Sequence, residues 1–102
     1  ITLSAGDWMV FGNIGFIAAA GTIPTVLTGS ISQTNNTQAT SPNGGGFAQV
    51  GATLGTASTN VLPLGMTEVN VTTSTVVYLV ATATFTVSTM TGYGAIIARR
   101  FR

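Results

Sequence analysis

Histidine, cysteine and lysine are all absent from the 102-residue chain, and its only side-chain carboxylates are Asp7 and Glu68. Without imidazole or thiol there is no ordinary general base, no nucleophile pair, no disulfide framework and no thiolate or imidazole ligand set for a metal. Two acids could in principle flank a glycosidic bond, but nothing in the sequence brings them together. The composition therefore argues against an enzyme and calls for no cofactor. Charged residues make up 5% of the chain, against roughly a quarter of an average soluble domain. With a formal net charge of +1 there is no basic field of the kind that neutralises nucleic-acid phosphates, so nucleic acid is set aside as a partner.

What is present is apolar or neutral-polar. Hydrophobic residues reach 45%, and Thr, Ser, Asn, Gln and Gly must supply the polar surface. A surface so poor in like charge does little to keep copies apart, and self-association is the expected outcome. The length suits one domain, residues 1–102. Because it opens on Ile1 and not Met, the chain is read as the C-terminal part of a longer or processed polypeptide. Residues 9–27 form an uncharged stretch of nearly membrane-spanning length. Gly12, Asn13, Gly15, Gly21 and Pro24 within it and the lack of basic flanks argue against a spanning helix.

The apolar pattern has period two throughout. Residues 7–18 place Trp8, Val10, Ile14 and Phe16 on one face and Asp7, Asn13 and Gly15 on the other, which Met9, Phe11 and Ile17 make partly apolar too. A strand covered on both sides suits a sheet packed against its own partner sheet and against a neighbouring subunit. Residues 21–24 turn the chain and 25–32 continue as a strand. Residues 33–49 read as one long exposed loop, which is either a binding site or a connector. Short strands are expected at 50–54 and 59–64, with Pro63 at an edge or strand end. Residues 68–87 read as a long hairpin turning at 72–74, with Thr82, Thr84 and Thr86 on one face. Residues 91–102 read as a terminal strand that ends in Arg99, Arg100 and Arg102. About eight strands, joined by turns and with no helical period, predict an all-β fold: an antiparallel β-sandwich of jelly-roll type.

Three stretches resemble the short C-terminal domains of bacteriophage and prophage tail-fibre or virion-fibre proteins. They are Gly6-Asp7-Trp8-Met9-Val10, the run Ser74-Thr75-Val76-Val77-Tyr78-Leu79-Val80-Ala81-Thr82-Ala83-Thr84-Phe85, and the ending Gly92-Tyr93-Gly94-Ala95-Ile96-Ile97-Ala98-Arg99-Arg100-Phe101-Arg102. Their order is also similar to trimeric C1q/TNF-like jelly rolls. The resemblance implies a homotrimer located in the virion, as a tail or capsid fibre, and extracellular after release. Its partners would be its own copies, other virion proteins and a host-surface glycan. Candidate interface residues are Phe11, Tyr93, Ile97, Arg99, Arg100 and Arg102. Candidate glycan contacts are Asn35, Asn36, Gln38, Asn43 and Phe47, amides and an aromatic being the groups that bind neutral sugars. The arginine cluster admits three readings: a solvated chain end, intersubunit pairing with Asp7, Glu68 or the terminal carboxylate, or a clamp for an anionic sugar or phosphate. The alternative function is a capsid decoration or head-fibre protein whose partner is another virion protein.

Overall fold

Trp8, Val10, Ile14 and Phe16 point one way because residues 6–18 are extended, and everything else in the fold is arranged around that strand. The computed structural model describes residues 1–39, 46–51, 53–56 and 58–101; Asn43 and Arg102 lie outside them. Eight strands follow in chain order: β1 (Thr2–Leu3), β2 (Gly6–Ala18), β3 (Ile23–Ser32), β4 (Phe47–Gly51), β5 (Thr59–Val71), β6 (Thr75–Val76), β7 (Tyr78–Thr86) and β8 (Met90–Arg100). No helix occurs among the described residues, so none is long and apolar enough to cross a membrane.

All pairings are antiparallel. One sheet has the order β5-β2-β8, a second β4-β3-β7, and β1 pairs with β6 in a short third. The two three-stranded sheets pack face to face as a β-sandwich, β2 against β3 and β5 against β3 and β4. Val10, Ile14 and Phe16 of β2 meet Leu27 and Ile31 of β3 and Leu62, Leu64 and Val69 of β5 in one buried cluster. The molecule measures 47 × 21 × 19 Å. Its length is that of β2 alone, since thirteen residues at about 3.4 Å each span roughly 44 Å.

Several expectations are corrected. Residues 59–64 and 68–71 belong to one continuous β5. Val10 pairs with Thr67 and Gly12 with Leu64, so Gly65 and Met66 together oppose Phe11 in a bulge, which absorbs the glycine that reads as an interruption. Residues 68–87 form no hairpin: β5 pairs with β2, whereas β6 pairs with β1 and β7 with β3. The chain changes sheets at Val77, which is fully buried and exchanges two hydrogen bonds with Ile1, both 2.8 Å. The strand expected at 50–54 runs instead from Phe47 to Gly51, turning Ala48 and Val50 inward. Trp8 packs against the core from its rim: it is half-buried, and its indole N–H donates to the Ser4 carbonyl at 2.9 Å. Pro63 does lie on an edge strand, and Thr82 and Thr84 share the outward face of β7, opposite Thr28 and Val26.

Two close approaches fix the interior. Leu79 reaches from β7 into a notch on the facing sheet, where a Cβ at Gly94 would come 2.7 Å from its Cδ2 and 2.6 Å from the Asn13 carbonyl. On the opposite side of that sheet the Tyr93 ring lies flat over Gly15, its cross-strand partner, filling the space a side chain would take.

Candidate functional site

The outer face of β5-β2-β8 is the surface that stands out. Cross-strand register sorts its side chains into rows, each read from β5 through β2 to β8. At one end sit Asn70–Asp7 and then Glu68–Met9–Arg99. Next come Met66–Phe11–Ile97, Pro63–Asn13–Ala95, Val61–Gly15–Tyr93 and finally Thr59–Ile17–Thr91. Phe101 continues β8 past Arg99, its N–H bonded to the Asp7 carbonyl at 3.0 Å. The four rows from Phe11 to Ile17 carry no charge, and Ile97 and Tyr93 remain 64% and 52% exposed. Phe11, Ile17, Val61, Met66 and Phe101 are exposed as well. The other outer face, that of β4-β3-β7, is covered and polar: Thr28, Ser30 and Ser32 are buried there.

The four uncharged rows run about 20 Å along β2, across a molecule about 20 Å wide, or roughly 400 Å². That is the size of the largest apolar patch on an ordinary monomer, roughly 300–600 Å² and often functional. It is about half of the roughly 800 Å² that each partner buries in a standard interface.

Among the expected interface residues, Phe11, Tyr93, Ile97 and Arg99 share this face. Arg100 has the opposite parity, paired with Trp8 at the sheet end. Val61, Pro63 and Met66 complete the face and escaped the sequence reading. The parity of Val61 and Pro63 against Leu62 and Leu64 signals their direction, but only the pairing of β5 with β2 shows which sheet they join.

Among the described residues, two of the expected glycan contacts come together, Gln38 and Phe47, both beside Ser30. Asn35 and Asn36 sit in an exposed turn, Asn36 with φ 56 in the left-handed region that Asn tolerates. Gln38 folds back over the polar sheet, where its amide N–H groups donate to the Thr82 hydroxyl at 2.9 Å and the Thr28 carbonyl at 3.3 Å, while its carbonyl accepts from Ser30. That side chain holds the 33–39 segment down. Phe47 is a half-buried β4 residue opposite Ser30.

A cavity of about 290 Å³ opens between the end of β3 and β5, lined by Ser32, Gln33, Thr67 and Glu68 over Val69 and Val77. Thr67 is only 8% exposed and its hydroxyl has no hydrogen-bond partner among the described residues. A second, apolar cavity of about 240 Å³ lies where the edges of β7 and β8 part, between Leu79, Ala81 and Gly94. The fold sets Asp7 and Glu68 diagonally across adjacent strands, an approach that depends on the pairing of β2 with β5. Glu68 borders the first cavity, and Asp7 accepts a hydrogen bond from Asn70. No group of three or more His, Cys, Asp or Glu side chains capable of holding a metal occurs among the described residues.

Fold and surface together define a small all-β sandwich with one covered face and one uncovered apolar face. In comparisons with known proteins the chain matches no family model, no curated protein and no solved structure.

Proposed function

We propose that this chain is a non-enzymatic assembly module of a virus particle: a jelly-roll-type sandwich that trimerises through the outer face of β5-β2-β8. As the C-terminal part of a fibre, it holds three chains together and presents their loops to a host-surface glycan. The observation that carries this reading is the uncharged stretch of that face, from Phe11 to Ile17 on β2 with Val61 and Met66 on one flank and Tyr93 and Ile97 on the other. An exposed surface of this size is costly in water and is relieved by covering it with another copy. The near absence of charge supports the same reading, because Asp7, Glu68 and Arg99 are confined to one end and the remaining rows carry no charge to oppose self-contact. Three copies on one rigid body make weak sugar contacts effective through avidity.

Light scattering tests the assembly: three chains of 10.3 kDa give about 31 kDa, and a monodisperse monomer at micromolar concentration refutes the trimer. A glycan array probed with the assembled protein tests the ligand. A blank array together with binding to purified virion proteins moves the reading to a capsid decoration or head-fibre role.

A further inference from the structure

The apolar rows give the face a reason to be covered, and its charged rows bear on the arrangement of what covers it. Glu68 and Arg99 stand in one row on either side of Met9. They belong to β5 and β8, the two edge strands of the sheet. Each edge of the face thus carries one charge, of opposite sign, at the same height along the long axis. Within one copy their backbones are two strand spacings apart, about 10 Å. Both side chains are exposed, and neither makes an ion pair or hydrogen bond with a described residue.

We infer that the partner on this face is a second copy of the chain lying parallel to the first, with Glu68 of each copy paired to Arg99 of the next. This rests on the self-assembly proposed above and adds its polarity and register. Laid side by side with long axes parallel, copies bring the β5 edge of one to the β8 edge of the next, and the two charges meet at equal height. Laid antiparallel, like edges meet, and Glu68 or Arg99 is pressed against the uncharged end that carries Tyr93 and Thr91. A charge buried there without a counter-ion is strongly unfavourable, so the face selects one orientation. Pro63 on β5 removes a backbone donor from that edge, which favours side-chain packing over continuation of the ladder between copies.

The test uses the full chain at low salt. Glu68→Arg and Arg99→Glu each place like charges at every contact and are expected to raise the half-assembly concentration about tenfold or more. The double variant E68R/R99E restores the pair in reversed sense and returns assembly to the wild-type range. Circular dichroism at dilution confirms that each variant folds. Single variants that assemble like wild type, or a double variant no better than the singles, overturn the pairing. Either result leaves the assembly reading standing if wild type is still trimeric. Mixing the two single variants one to one adds a parity test. A closed ring with an even number of copies can match every contact, whereas a ring of three keeps one mismatch, so partial rescue supports the parallel trimer. Full rescue also supports the parallel pairing but overturns the threefold order of the proposed function.

Discussion

Ile97→Asp is the substitution that most directly separates a covered face from an exposed one. In the single chain Ile97 is 64% exposed and lies opposite Phe11 on an edge strand. Its replacement costs the isolated fold only the difference in strand preference, about 1 kcal/mol. If the face is covered, each copy loses the burial of most of an isoleucine, about 1–2 kcal/mol, and strands a carboxylate without a partner, about 2 kcal/mol more. That is about 3 kcal/mol per site and about 9 kcal/mol for a ring of three. The half-assembly concentration of a trimer varies as the square root of its dissociation constant, so it rises roughly a thousandfold. Sedimentation velocity across a dilution series reads this directly, with Ile97→Thr as a β-branched control that keeps the strand and adds no charge. A folded Ile97→Asp protein that remains assembled at the wild-type concentration would falsify the claim that this face is the interface. Tyr93→Asp is less clean, because it also uncovers Gly15.

Other expectations concern the fold. Gln38→Ala removes the amide that ties segment 33–39 to Ser30, Thr28 and Thr82; it is expected to lower stability by about 1–3 kcal/mol in urea titration. Glycan binding carried by Gln38 itself, with unchanged stability, would contradict its clamping role. Thr67→Val removes a buried hydroxyl that bonds none of the described residues, and the chain should be equally stable or up to about 1–2 kcal/mol more so. A clear destabilisation on thermal melting would mean that the hydroxyl has a partner in solution.

The strands of the long periodic segments were legible because alternation is a local property. Val10, Ile14 and Phe16 had to lie on one side of an extended chain, and Leu79, Ala83 and Phe85 on one side of another. Pairing was not legible. Residues 68–71 and 77–87 look like a hairpin because both alternate and a Thr/Ser turn separates them, yet Val77 is buried where the chain leaves one sheet for the other. The Gly65–Met66 bulge was hidden for a related reason: a bulge is defined against the partner strand, and β2 lies some fifty residues away. The 33–49 segment looked uniformly polar, and composition could not reveal that Gln38 turns back onto a sheet or that Phe47 enters one.

By itself, the sequence determined that this protein is made of strands, has almost no ionic chemistry and must manage more apolar surface than its charges can keep in solution. Those are properties of residue type and of spacing over a few positions, and they hold whatever the strands pair with. Only the tertiary structure decided that Phe11, Val61, Met66, Tyr93 and Ile97 form one uncovered face, and that Glu68 and Arg99 stand level on its two edges. Sheet order and register join residues distant along the chain, and a cross-strand row exists only once three strands have been laid side by side.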